Sequence, residues 1–120
     1  MNYFKNVLPK KKERILEAYT PISTYLKKAL KGLKANNVEE VQWWFGDIFT
    51  VLCENKEIVD PLIYEKIRGL KNDLAKATST ILFFHTCFKG AKRLEAQMKD
   101  VIMTLDTRIA DLKLYLQKIQ

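Results

Sequence analysis

The sequence predicts an all-α protein, a four-helix bundle with a kinked or broken first helix, in one domain over residues 1–120. Only four glycines and three prolines interrupt the 120 residues, which indicates long regular elements with few loops. From residue 63 to residue 119, apolar residues recur at alternating steps of four and three, broken once at Glu95. That spacing is typical of helices that each bury one narrow face. No run alternates apolar and polar residues with β-branched enrichment, so no strand is expected.

The first helix is predicted from about residue 10 to residue 33, after an arm over residues 1–12 that combines aromatic residues with lysines. The arm either packs on the bundle as an apolar flap or contacts an anion or a membrane surface. Apolar positions keep helical phase through Pro21. Pro21 therefore either kinks one helix, because it lacks a backbone N–H, or begins a new helix capped by Thr20.

Two capping signals mark the starts of the next helices. Asn37 precedes a predicted helix over residues 38–54, and Glu40 stands at the capping-box position three residues later. Asp60 followed by Pro61 is a strong start signal for a third helix.

Three aromatic residues follow one another in the second helix: Trp43, Trp44 and Phe45. Successive helical positions cannot all face one core, so Trp43 is expected to cover an edge of the bundle or to meet a partner. Trp43, Trp44 and Phe49 are accordingly the candidate protein-interface residues.

The segment over residues 61–119 admits two architectures. Gly90 can end one helix and turn the chain into another, which gives a helical hairpin that completes the bundle. Alternatively, the apolar row continues through Gly90 as one helix, ~90 Å long, that dimerises as a coiled coil. We predict the hairpin; a domain-swapped dimer opened at Gly90 lies between the two.

The net charge of +7 is unevenly distributed. Residues 1–36 carry nine Lys/Arg and two Glu, whereas residues 37–60 carry one Lys and six acids. Such polarity can steer an anionic partner or bring two copies of the chain together. The candidate nucleic-acid or anion-binding residues are a stripe and two flanking groups: Lys10, Lys11, Lys12, Arg14, Lys27, Lys28, Lys31, Lys34, Lys92 and Arg93. Because lysines predominate, any nucleic-acid binding is expected to be phosphate-directed and non-specific; a solvated helix face is the alternative.

Catalytic and metal chemistry have little support. His85 is the only histidine, and it stands in an apolar stretch two residues before Cys87. No Glu-x-x-His pair and no phosphate-binding glycine loop occur. We therefore expect neither an enzyme nor a cofactor or metal, and no small-molecule ligand can be identified.

The two cysteines, Cys53 and Cys87, do not form a disulfide framework and are expected to be buried thiols in a reducing cytoplasm. The N-terminal lysines are not followed by an apolar segment, so a secretory signal is not expected. No apolar stretch approaches the ~20 residues of a membrane span.

The predicted function is that of a non-enzymatic intracellular interaction protein, an adaptor or regulator. It would act by self-association, for example as a homodimer, or by docking on another protein. The alternative is an accessory protein that binds nucleic acid through the lysine stripe.

Overall fold

The computed structural model describes residues 4–78 and 91–119. Within these ranges the chain forms four α-helices and no strand: α1 (Pro9–Lys34), α2 (Val38–Glu54), α3 (Pro61–Thr78) and α4 (Ala91–Ile119). The Cα atoms extend over 53 × 21 × 21 Å, the proportions of an elongated bundle. The all-α prediction is confirmed.

Helix α1 continues through Pro21 without interruption. Thr20 does not cap a new helix; its hydroxyl donates to the carbonyl of Leu16 at 2.8 Å. Tyr19 and Ile22, on either side of the proline, are both fully buried in the same core. Continuous packing of this face keeps the two halves in one helix, so of the two alternatives at Pro21 the start of a new helix is excluded.

The turn between α1 and α2 depends on two asparagines. Asn36 has a left-handed backbone with φ of 59°, which asparagine tolerates better than most residues. In this turn the N–H of Asn36 donates to the carbonyl of Leu33 at 3.1 Å, and that of Asn37 to Gly32 at 2.9 Å. Asn37 Oδ1 then accepts the N–H of Glu40 at 3.1 Å, so the predicted cap is correct.

Helices α3 and α4 lie side by side in opposite directions. Lys66, near the start of α3, forms an ion pair with Asp100 in α4. The two residues are 34 positions apart, which in one straight helix would separate them by ~51 Å. The ion pair therefore requires a hairpin, and a single continuous helix over residues 61–119 is wrong. Gly90, where the turn was predicted, lies outside the described residues.

All four helices share one apolar core. Its buried side chains on the helices are Ile15, Ala18, Tyr19, Ile22, Leu26, Ala29, Leu33, Val41, Phe45, Ile48, Leu52, Ile63, Ile67, Leu70, Leu74, Leu94, Met98, Val101, Leu105 and Leu112. In α4 the buried face is centred on Leu94 and Val101, whereas the row of apolar residues in the sequence runs through Glu95 and Ile102, one position later in each case. Glu95 therefore lies at the edge of the buried face of α4, and its carboxylate is 3.9 Å from Lys34 Nζ.

Asp60 is only 1% exposed and links three helices. Its Oδ1 accepts the N–H of Ile63 at 3.1 Å, which caps α3 as predicted. Its Oδ2 accepts the hydroxyl proton of Tyr19 at 2.7 Å and lies 3.4 Å from Arg108 Nε. The Tyr19 oxygen in turn accepts the N–H of Asp60 at 3.0 Å. Phe4 packs edge-on against Tyr19, with ring centroids 6.1 Å apart, so the N-terminal segment covers this cluster.

The substitution Tyr19→Phe should destabilise the fold by about 2–3 kcal/mol, because it removes a charge-assisted hydrogen bond and deprives a buried N–H of its acceptor. Urea unfolding followed by circular dichroism measures the loss. Tyr25→Phe is the matched control: its ring is stacked, and its hydroxyl makes no hydrogen bond within residues 4–78 and 91–119. Equal losses in the two variants would contradict the assigned contribution of the Asp60 cluster.

Candidate docking face on helix α2

Three aromatic rings stack outward from the bundle. Tyr25 of α1 stacks on Trp44 of α2 with centroids 5.4 Å apart and an interplanar angle of 24°. Trp43 stacks on Trp44, again at 5.4 Å, with an angle of 20°. Trp44 is half-buried between its two neighbours, whereas Trp43 is 67% exposed. The stack therefore ends in a large aromatic ring that faces solvent.

The middle ring of this stack is held from several directions. The indole Nε1 of Trp44 donates to Glu40 Oε1 at 3.3 Å. Lys28 Nζ lies 4.6 Å from the centroid of the Trp44 ring, a cation–π contact between α1 and α2. Glu40 is itself fixed by Asn37, whose Nδ2 donates to Glu40 Oε2 at 3.2 Å. Because Trp44 is positioned by these contacts, it offers Trp43 a fixed surface to stack on.

Helical geometry explains why the two tryptophans differ in burial. Val41, Phe45, Ile48 and Leu52 form the buried face of α2. Successive residues of a helix are rotated by about 100°, so Trp44, one position before Phe45, points to the side of α2 rather than into the core. On that side it stacks on Tyr25 of α1. Trp43, two positions before Phe45, is turned about 200° and points away from the core. The prediction that Trp43 lies outside the core is confirmed.

Carboxylates border Trp43. Glu39 lies one helical turn before it and Asp47 one turn after it, on the side of α2 that faces away from the core. The whole of α2 carries four acids and no Lys or Arg. Across the described ranges, neither Glu39 nor Asp47 forms an ion pair. We call Glu39, Trp43 and Asp47 the Trp43 face; an aromatic ring between unpaired carboxylates suits a cationic group.

Phe49 belongs to a different surface. It is half-buried, and Lys71 Nζ of α3 lies 4.4 Å from the centroid of its ring. It lines the groove between α2 and α3 together with Phe45 and Leu74. The three candidate interface residues therefore do not form one patch, because Trp44 stacks on Tyr25 of α1 and carries Trp43 on its other face, while Phe49 faces α3.

The candidate basic residues are divided between the two ends of α1. Lys10, Lys11 and Arg14 are exposed in the first turns of the helix. Lys12 is 4% exposed, with its Nζ 3.9 Å from the centroid of the Tyr115 ring of α4, so it is not part of a basic surface.

The lysine stripe in the second half of α1 is partly neutralised. Lys27 Nζ lies 3.1 Å from Asp106 Oδ2 of α4, and Lys34 Nζ lies 3.9 Å from Glu95. Lys28 is turned toward α2 and lies over Trp44. Lys31 is exposed without a partner in the part of the chain that the structure describes. The stripe is thus interrupted by acidic side chains of the neighbouring helix.

Lys92 and Arg93 are exposed at the start of α4. The contact between Lys34 and Glu95 places them near the C-terminal end of α1. Between Arg14 and Lys27 lie ~20 Å of α1 without a Lys or Arg, so the basic residues form two separate groups rather than one continuous face.

Sequence reasoning missed two polar contacts between helices. The guanidinium of Arg108 in α4 packs against buried Asp60, with its Nε 3.4 Å from Asp60 Oδ2. Ser23, also buried, donates to Asp106 Oδ1 of α4 at 2.7 Å. The available signal was the phase of α4, since Arg108 falls on the same row of steps of four and three as Leu105 and Leu112.

Cys53 is an exposed free thiol, which corrects the prediction that it is buried. It follows buried Leu52 and is therefore turned about 100° from the core-facing direction of α2. Cys87 and His85 lie outside the described residues.

Residues 4–78 and 91–119 contain neither a cluster of metal-ligating side chains nor a membrane-spanning helix. Over residues 4–78 and 91–119, no group of three or more His, Cys, Asp or Glu side chains is arranged to hold a metal ion. No helix in the same ranges combines the length and the apolar composition needed to cross a bilayer.

Comparison with known proteins gives no match to any protein-family model, curated protein or solved structure. Function is therefore inferred from this chain's own residues.

The two tryptophans should respond differently to acrylamide quenching. The variant Trp44→Phe leaves Trp43 as the only indole, and its exposed ring should be quenched several-fold more efficiently than the half-buried Trp44 in Trp43→Phe. Stern–Volmer plots of the two variants give the comparison, with free tryptophan as the upper reference. Equal quenching constants would contradict the stacked arrangement.

Proposed function

We propose that the protein is a non-enzymatic interaction protein, an adaptor or regulator, that docks through the Trp43 face. It acts on another protein or on a second copy of itself. The single observation that supports this function best is the 67% exposed Trp43 ring at the end of a stack anchored in α1 and α2.

An exposed tryptophan in this arrangement has the properties of a binding hot spot. Tryptophan is enriched among the few interface residues that provide most of the affinity. Holding the ring in place before binding reduces the entropy lost on association. The contacts that position Trp44 therefore favour docking indirectly, because they fix the surface on which Trp43 rests.

We propose no catalytic step for this protein, and we place it in the cytoplasm. The sequence offers a single histidine, so an acid–base pair of histidines is not available. An exposed free thiol at Cys53 is compatible with a reducing compartment, where thiols persist without pairing.

Removal of the Trp43 side chain should abolish docking. We expect Trp43→Ala to weaken capture of the natural partner from a lysate of the native cells by about 30-fold or more, the loss that corresponds to a hot spot of about 2 kcal/mol. Pull-down with immobilised protein and quantitative mass spectrometry measures the effect. Leu62→Ala is the matched control, because Leu62 is another large apolar side chain, 49% exposed, on α3. Retention of the same partners by Trp43→Ala would contradict the proposal.

The second candidate function, binding of nucleic acid, is supported by the net charge of +7 and by the exposed bases at both ends of α1. Phosphate contacts by these residues would make binding non-specific and strongly salt-dependent. The acidic partners of Lys27 and Lys34 reduce the charge available to phosphates.

This second candidate predicts that replacing Lys27, Lys28, Lys31 and Lys34 together by Glu removes most of the affinity for duplex DNA. It also predicts a shallower salt dependence in the variant, since fewer counterions are released. Fluorescence anisotropy with a labelled duplex measures both quantities. The control replaces Lys113 and Lys118, two exposed lysines of α4, by Glu. Affinity that survives the stripe replacement would exclude the stripe as the binding surface.

A further inference from the structure

The Trp43 face is the acidic part of a basic chain. Helix α2 carries Glu39, Glu40, Asp47 and Glu54 without one compensating base, whereas the whole chain has a net charge of +7. Glu40 already binds the indole of Trp44, but Glu39 and Asp47 are without ion pairs in the described ranges. A partner that complements this face must present cations, and a second copy of this chain does so.

The complementary cations lie on the same side of the molecule. Lys11 and Arg14 continue, at steps of three and four, the row of α1 that includes Tyr25, Lys28 and Gly32. That row faces α2, since Lys28 lies over the Trp44 ring and the Gly32 position packs against α2.

Helix α2 ends before it reaches these cations. Counting along the two antiparallel helices from the contact between Lys28 and Trp44 places Glu54, the last residue of α2, level with about residue 18 of α1. Lys11 and Arg14 lie one to two helical turns beyond that level, exposed and without ion pairs in the described part of the chain.

We propose that the protein forms a two-fold symmetric dimer in which the Trp43 face of each copy receives Lys11 and Arg14 of the other. This inference rests on the proposed function and names its partner as a second copy of the chain. The guanidinium of Arg14 stacks on the outer face of the Trp43 ring, and Glu39 and Asp47 bind the two cations from either side. Planar guanidinium groups stack well on indole rings and pair with carboxylates.

The spacing of the two patches allows the same contact to form twice. Trp43 is level with about residue 29 of α1, which places it ~22 Å along the bundle from Arg14. An antiparallel partner related by a two-fold axis then aligns both pairs of patches, and the assembly closes as a dimer. One side of the molecule measures 53 by 21 Å, larger than the ~800 Å² per partner of a stable interface.

Exchange of charges between the two patches tests the proposal. One variant carries Glu39→Lys and Asp47→Lys, and the other carries Lys11→Glu and Arg14→Glu. Each variant alone should be monomeric in sedimentation equilibrium, because its patches repel those of a second identical copy. An equimolar mixture should form a dimer with one copy of each, because the exchanged charges become complementary.

Further variants separate the contact from folding and from general charge effects. Trp43→Ala should raise the dimer dissociation constant about 30-fold or more. The double replacement of Lys113 and Lys118 by Glu, with the same change in net charge as the Lys11 and Arg14 variant, should dimerise like the natural chain. Far-UV circular dichroism verifies that each variant is folded.

Three results would overturn the inference: a natural chain that remains monomeric at low salt, a dimer unaffected by Trp43→Ala, or folded charge variants whose mixture does not associate. In that case, the pull-down from cell lysate with natural protein and Trp43→Ala tests the proposed function separately. Capture of a protein or nucleic acid that still depends on Trp43 would preserve docking through this face and replace the second copy as its occupant. Capture that is independent of Trp43 would remove both conclusions.

Discussion

The buried carboxylate of Asp60 is the interaction on which the arrangement of the helices depends. A charge that is 1% exposed requires partners, and here they come from different helices: the hydroxyl of Tyr19 in α1, the N–H of Ile63 in α3 and the guanidinium of Arg108 in α4. Apolar contacts alone tolerate sliding of one helix past another, because many offsets bury similar areas. A buried ion with directional partners permits one offset, and the cluster therefore determines how α3 and α4 lie relative to α1.

A second set of contacts, between α1 and α2, helps to position α2. The ring of Trp44 lies between Tyr25 and Trp43, with Lys28 over it and Glu40 bound to its indole nitrogen. The outermost ring, Trp43, is held in place by stacking on Trp44 and is still exposed to solvent. The proposed docking face is thus a consequence of how α1 and α2 pack. The cations proposed to complement it, Lys11 and Arg14, lie beyond the end of α2 on the row of α1 that includes Tyr25 and Lys28.

The features that could be predicted from sequence are those that depend on neighbouring residues. Asn37 and Asp60 cap their helices because the bonds they accept come from backbone groups three residues away. The outward position of Trp43 follows from the rotation of about 100° per residue away from Phe45. Contacts between distant residues were not accessible in this way. The burial of Lys12 against Tyr115, the pairing of Lys27 with Asp106 and the separation of Phe49 from Trp43 all depend on which helix lies alongside.

The sequence by itself determined that the chain is helical, where α2 and α3 begin and that one tryptophan of α2 lies outside the core. These properties depend on helical periodicity and on short-range hydrogen bonds. Only the tertiary structure decided that residues 61–78 and 91–119 pack as an antiparallel pair, because the apolar row is compatible with one helix or two. It also decided that Asp60 joins three helices and that the basic residues fall into two groups. Those outcomes depend on the offset between helices, which one helix's periodicity does not encode.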